Sequence, residues 1–430
     1  MIDSTESFTQ LPGTLRRWIS YERELLDRGR DWSRCNPDYT NLPEKFTAEG
    51  SGIFRIPAFW LPEKHVQVFN ELEAPELLEP QYIRVRNGQR EVLYLLHPAL
   101  RDDFSRLAGS MGCLDRSLQL LGITTASERT LLVWSNSGKC DPFFAKLSLP
   151  FQIGGVDRTI SPTIASRSVG TSSILRLSEP LMPATFGFLP EVLAVSPRDK
   201  RLGSLIVRPV PASILSGERC LVPMFALYAK RTGRAPLLRR VARKCGLTDR
   251  ECVQIHILRA FAQQWLDLVL DGGFIPEAHA QNLLLETDNS LAPTGRLIHR
   301  DLEGFYVDLD FRAKAGLPVP KWLPKARGLL ENYNQKPHRW SSRLQRSLYN
   351  YFQGGLLFNF ENVLPRGRPS PQESFEVEFQ EELCKQLHKR VEVHIDPASN
   401  SFHEDLVNAI LDHRSFQGEG LQANLPLSVK

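Results

Sequence analysis

One helix and the polar segment behind it constrain this chain more than any other feature. Thr248-Asp-Arg-Glu251 reads as a capping box: the Thr hydroxyl meets one free backbone N–H of the first turn, and the Glu carboxylate reaches back to another. Val253, Ile257, Leu258, Phe261, Trp265, Leu268 and Val269 follow at helical spacing, and Gly272-Gly273 ends the run. Glu277, His279 and Gln281 then alternate with Ala278 and Ala280, ahead of the apolar Leu283-Leu284-Leu285. An extended strand would set the three polar groups on one face. With Asn282, Arg300 and Asp301 they place two carboxylates, an imidazole, two carboxamides and a guanidinium within 25 residues. Such a set suits a charged, hydrogen-bonding ligand.

Two identities fit that segment alone. His299-Arg300-Asp301-Leu302 matches the opening of a kinase catalytic loop, with Asp308 or Asp310 as the metal-binding aspartate. Against this, position 306 is Tyr where that loop needs Asn, and neither a glycine-rich phosphate loop nor a Val-Ala-Ile-Lys strand precedes it. A kinase-like small-molecule phosphotransferase is therefore the weaker reading.

The second identity needs the rest of the chain. Ala126-Ser127-Glu128-Arg129-Thr130-Leu131 is followed by Ala145-Lys146-Leu147-Ser148-Leu149, then Asp157-Arg158 and the small-residue run Gly170-Thr171-Ser172-Ser173. Upstream stands His97-Pro98; downstream come Glu-Ala-His-Ala-Gln-Asn and Arg-Asp-Leu-Glu-Gly. In this order the motifs resemble the IucA/IucC family, the synthetases of siderophores made without a nonribosomal peptide machine. The resemblance covers residues 90 to 310 and weakens toward the end. Singly, each residue has an ordinary explanation: a strand Lys facing solvent, surface Arg ion pairs, a core His, a structural Asp–Arg bridge. The ordered series is what singles them out.

The resemblance implies an ATP-dependent ligase that activates citrate or a related acid as an acyl-adenylate, which an amine, hydroxylamine or alcohol then attacks. It implies ATP and magnesium as cofactors, homodimers as a common assembly, and an open-hand architecture with ATP between a sheet unit and a helix-rich unit. Carried over residue by residue, Ser127, Arg129, Thr130, Lys146, Arg158, His279, Gln281 and Asp301 surround the nucleotide. Glu277, Arg158 and His279 border the acid, and Asp301 meets the metal. The residue types suit that chemistry, because bringing a carboxylate against an α-phosphate needs cations and fixed donors to cancel charge. Two departures stand out: the family's His-Pro-x-His-Pro-x-x-Lys element is missing, and Gly154-Gly155 replaces a Thr-Ser pair. The chain reads as a divergent, N-terminally shortened relative, with a noncatalytic nucleotide- or acid-binding protein as a further alternative.

Punctuation by Pro and Gly divides the chain into a variable first unit at 1–95, an antiparallel sheet unit at 96–215 and a helix-rich unit at 216–430, an α+β class. A helix is expected over 15–26, and a hairpin turn over 196–203 leads into a strand at 204–208. The net charge of +4 is too mild to announce nucleic acid, and the basic run from Lys230 to Lys244 lacks interleaved aromatics. It reads as a solvated helix face. Seven scattered cysteines without a Cys-x-x-Cys pair, an opening that is neither basic nor apolar, and no 20-residue apolar run predict a cytoplasmic protein with no membrane span.

Overall fold

The computed structural model describes residues 8–23, 42–48, 50, 52–70, 81–138, 140–153, 156–229, 235–320, 346–364 and 374–394. Gly154-Gly155, Lys230, Arg231, Arg234, the Pro-rich stretch 365–371 and the residues from 418 onward lie outside these. At the centre is a seven-stranded sheet in the order Phe54–Arg55, Leu120–Thr124, Thr130–Ser135, Phe143–Leu147, Leu205–Pro209, Leu193–Pro197, Val66–Asn70. Every pairing in it is antiparallel. The strand Phe143–Leu147 shows how the sheet is built, for all five of its residues are buried. Period two sends Phe143, Ala145 and Leu147 into one core and Phe144 toward another, so both faces are covered.

One face packs on a second antiparallel sheet, Ile83–Arg86, Gln89–Leu95, Ala58–Pro62 and Cys113–Leu114, through Trp60, Leu61, Val92 and Leu93. Its first hairpin turns at Asn87 and Gly88, whose φ values of 51° and 71° are those of a type I′ turn. The central sheet thus takes strands from both sides of position 95, and residues of both stretches share this core. The expected hairpin is present: Leu193–Pro197 and Leu205–Pro209 pair around the turn.

The other face carries the N-terminal helix Gly13–Glu22, the helix Pro162–Ser178 and part of a third sheet. That third sheet, Phe186–Phe188, Pro293–His299, Leu283–Asp288 and Arg219–Pro223, contains one parallel pair, between Phe186–Phe188 and Pro293–His299. Leu221, Leu284 and Ile298 meet Leu132, Trp134 and Phe144 in one core, joining the third sheet to the central one.

The expected helix runs over 249–271, with wider π-type turns at Gln254–Arg259 and Asp267–Asp271. Its capping box forms as read: Glu251 N–H donates to Thr248 Oγ1 at 3.2 Å, and Thr248 N–H to Glu251 Oε2 at 2.8 Å. Phe261 stacks on Phe352 at 3.8 Å, and Trp265 Nε1–H donates to Ser347 Oγ, locking the helix against the C-terminal helices. Thr248→Ala should lower stability by about 1 kcal/mol, the usual worth of such a cap, and an unshifted urea midpoint would contradict this. The basic helix Leu237–Lys244 buries Leu237, Leu238, Val241 and Ala242, while Arg240, Arg243 and Lys244 are exposed. It is the solvated face expected of it. No helix among the described residues is long and apolar enough to cross a membrane.

Candidate active site

The face of the central sheet opposite the sandwich core carries the polar exception. Lys146 lies opposite Thr130 on one side and Ile206 on the other, and alternation from Ile206 brings Arg208 to the same face. Lys146 is only 2% exposed, so its ammonium must be paired inside the protein. It is: Nζ stands 3.2 Å from Asp301 Oδ1 and 3.3 Å from Glu303 Oε1. Both carboxylates come from the turn that follows the strand Pro293–His299. Asp301 adopts the left-handed conformation, φ 61° and ψ 63°, which turns the chain sharply into Leu302–Gly304.

Around this ion pair the cluster grows outward. Arg208 donates to Asp301 Oδ1 at 2.8 Å and to Glu191 Oε1 at 2.7 Å. Arg129 reaches Glu303 Oε1 at 3.4 Å and the Arg158 carbonyl at 3.3 Å. Burial opposes the charge on Asp301, but Lys146, Arg208, Arg129 and Arg300 together outweigh it and hold its carboxyl well below the usual carboxylate range. Burial likewise opposes the charge on Arg208, and Glu191 and Asp301 overcome it.

The segment 276–282 is not a strand. It links Phe274–Ile275 to Leu283–Asp288 and closes in a turn, where His279 O accepts from the N–H groups of Asn282 and Leu283. The alternation survives without a ladder: Ala278 and Ala280 are buried, while Glu277, His279 and Gln281 are half-exposed. The Gln281 N–H donates to His279 Nδ1 at 3.2 Å, so the neutral ring carries its proton on Nε2 and presents a donor there. Burial lowers the His279 pKa, Glu277 and Asp301 partly offset it, and Arg300 and Arg158 add to the lowering. These four charged groups are its electrostatic neighbours, which brings Arg158, Glu277 and His279 to the edge of the Lys146–Asp301 cluster. Glu277 Oε2 accepts from Asn282 Nδ2 at 3.2 Å and lies against Gly304, where a Cβ would come within 2.1 Å of it.

Ser127 shapes the turn that delivers Arg129. Its hydroxyl accepts from Thr130 N–H at 3.1 Å, and Glu128 takes the left-handed conformation, φ 62°. His97, from the His-Pro element, backs the same turn: Nε2–H donates to the Glu128 carbonyl at 3.3 Å, and Ala99 N–H donates to Nδ1. Burial pushes the His97 pKa from 6.5 down to about 4, against a small upward pull from the Glu128 carbonyl. The folded protein therefore holds His97 neutral while the unfolded chain protonates first, so stability is lost as pH falls from 6.5 toward 4. A lowering of that size corresponds to about 3 kcal/mol. Urea midpoints measured across this window should fall, and His97→Gln should flatten the fall. An equal slope in both proteins would contradict the assignment.

Three groups were not singled out by the motifs: Arg208, Glu191 and Glu22. Glu22, at the end of the N-terminal helix, takes both terminal nitrogens of Arg300, at 2.5 and 3.1 Å. Arg300 Nε also donates to the Gln281 carbonyl at 2.7 Å, tying this pair to the His279 turn. Arg208 had one visible signal, a cation closing the apolar run Leu205-Ile-Val; Glu191 and Glu22 had none. Two residues of the kinase-like match have structural roles here, and the side chain of Asp310 lies outside the described ones. His299 is fully buried, bonded to Gln264 at 2.8 Å and pushed down to about 3 by burial. Asp308 caps the helix Leu309–Lys314.

A mixed α and β chain with antiparallel sheets, bearing these motifs in this arrangement, has the fold of the synthetases that make siderophores without a nonribosomal peptide machine. Among solved structures it is similar to the ATP-bound aerobactin synthetase IucA of a hypervirulent pathotype of Klebsiella pneumoniae, with TM-score 0.60 and 17% identity over 94% of this chain and 77% of that one. It is similar to the petrobactin biosynthesis protein AsbB of Bacillus anthracis str. Sterne, with TM-score 0.66 and 16% identity over 92% and 72% of the two chains. For the Klebsiella aerobactin synthetase IucC the TM-score is 0.58, with 18% identity over 90% and 72%. No family model matches the chain, and no curated protein matches it in sequence. At these identities the likeness is one of fold.

Proposed function

We propose that the protein is an ATP-dependent, AMP-forming ligase of siderophore biosynthesis that joins citrate or a related carboxylic acid to an amine, hydroxylamine or alcohol. The observation that carries this reading is the buried meeting of Arg129, Lys146 and Arg208 with Asp301 and Glu303, on a siderophore-synthetase fold. In the adenylation step a carboxylate oxygen attacks the α-phosphorus and the bond to pyrophosphate breaks. The nucleophile then attacks the acyl carbon, loses a proton, and AMP leaves.

Each residue has a place in that sequence. Lys146 and Arg129 neutralise phosphate oxygens as charge builds at phosphorus, and a low-dielectric setting strengthens both. Arg158 and the Nε2–H of His279 hold the acid against the nucleotide, with Glu277 setting the border of the acid pocket. Ser127, Thr130 and Gln281 supply neutral contacts to the nucleotide. The open-hand arrangement, with ATP between sheet unit and helix-rich unit, belongs to the same proposal.

Magnesium, carried largely by the phosphates, would add charge neutralisation. The donor set fits a minor protein share: Asp301 stays ionised, and its Oδ1 is already used by Lys146 and Arg208, so Oδ2 would be the ligand. Among the described residues no three His, Cys, Asp or Glu side chains converge as a metal site of their own.

Incubation with ATP, magnesium, hydroxylamine and a panel of di- and tricarboxylic acids tests the proposal. Acid-dependent AMP, pyrophosphate and hydroxamate are expected. ADP as the product, or bound ATP without any product across the panel, would overturn it.

A further inference from the structure

The two carboxylates beside Lys146 are held very differently. Asp301 is fixed from behind: its Oδ1 takes Arg208 as well as Lys146, and Arg208 is itself anchored by Glu191, which is 0% exposed. Glu303 has no such backing. Its Oε1 meets Lys146 at 3.3 Å and Arg129 at 3.4 Å, while its Oε2 is buried with no hydrogen-bond partner. The side chain is nonetheless 23% exposed and stands on a three-residue turn, Leu302–Gly304. A carboxylate so placed keeps one oxygen on the cations and strands the other, and a rotation about its own side-chain bonds would carry it toward solvent.

Charge makes the same point. Arg129, Lys146 and Arg208 are matched one for one by Asp301, Glu303 and Glu191, so these three cations are already neutralised while Glu303 stays in place. An anion arriving at Lys146 and Arg129 would meet Glu303 at close range, and like charges in a poorly solvated site repel strongly.

We infer that Arg129 and Lys146 form an anion subsite which Glu303 fills in the free protein, and that an incoming anionic oxygen, phosphoryl or carboxylate, displaces it. Glu303 is then an internal competitor that sets ligand affinity. It holds the two buried cations neutralised between binding events and swings outward when the ligand's oxygen takes its position. The inference deepens the ligase reading and rests on it for the identity of the ligand, though not for the existence of the subsite.

Calorimetric binding of ATP, pyrophosphate and citrate to wild type and to Glu303→Gln tests this directly. The variant keeps the side-chain shape and leaves Lys146 paired with Asp301, so it should fold; matching thermal midpoints within a few degrees would confirm that. The expected result is binding at least 10-fold tighter in the variant for one ligand class. Tightening of ATP and pyrophosphate assigns the subsite to phosphoryl oxygen, and tightening of citrate alone assigns it to the acid. Equal or weaker binding of all three in the variant overturns the inference, because it would make Glu303 a ligand-holding or merely structural group. Wild type that binds neither ATP nor citrate would refute the ligase reading, while tighter pyrophosphate in the variant would still support the subsite.

Discussion

Arg208→Met is expected to destabilise the protein by about 3–5 kcal/mol, the cost of breaking a buried ion pair from one side. The reason is Glu191. It is 0% exposed, and among the described residues Arg208 is the cation that meets it, at 2.7 Å. Methionine fills much of the volume but leaves the carboxylate either uncompensated or forced to take a proton. Asp301 is less affected, since Lys146 remains 3.2 Å from its Oδ1. The loss should therefore be relieved by Glu191→Gln in the same chain, where the amide carries no charge. Urea unfolding of both single variants and the double variant measures it. A single variant within 1 kcal/mol of wild type, or a double variant no better than Arg208→Met, would contradict the pairing.

Lys146→Ala should do the opposite: spare the fold and remove the chemistry. Each carboxylate beside Lys146 keeps another cation, Arg208 for Asp301 and Arg129 for Glu303. No carboxylate is stranded, and stability should fall far less than for Arg208→Met. The reaction loses the cation placed deepest in the cluster, and removal of one such preorganised group typically costs about 100–1000-fold in rate. A variant with near-wild-type turnover would remove Lys146 from the site. One that fails to fold would show that Asp301 and Glu303 depend on it more than the geometry indicates.

How much of this was readable beforehand depended on the distance over which each interaction acts. The capping box at Thr248 involves neighbours three residues apart, and it formed as read. The hairpin around 196–203 also formed as read, but the sheet it belongs to takes Phe54–Arg55 and Val66–Asn70 from before position 95, which no local pattern announces. Lys146, Arg129 and Asp301 stand in ordered motifs, and the structure brings them together. Arg208 and Asp301 are 93 residues apart, and Glu22 and Arg300 are 278 apart. Such pairs arise from strand register and helix docking, which leave no local pattern. The segment after Pro276 illustrates a subtler limit. Alternation of Glu277, His279 and Gln281 with alanines matches which side chains are buried, but the turn at 280–282 that replaces a strand is not legible in it. Ser127 shows the reverse case: its hydroxyl, assigned to a ligand, also builds the local turn by accepting from Thr130 N–H.

The most direct test of the ligase account is carboxylate-dependent exchange of labelled pyrophosphate into ATP, run on wild type beside Lys146→Ala. Exchange reads the reversible adenylation step alone and needs no knowledge of the nucleophile. Wild type is expected to show exchange only when its acid is present, and Lys146→Ala a fall of about 100-fold or more. Exchange that ignores the acid, or that proceeds equally well without Lys146, would contradict it.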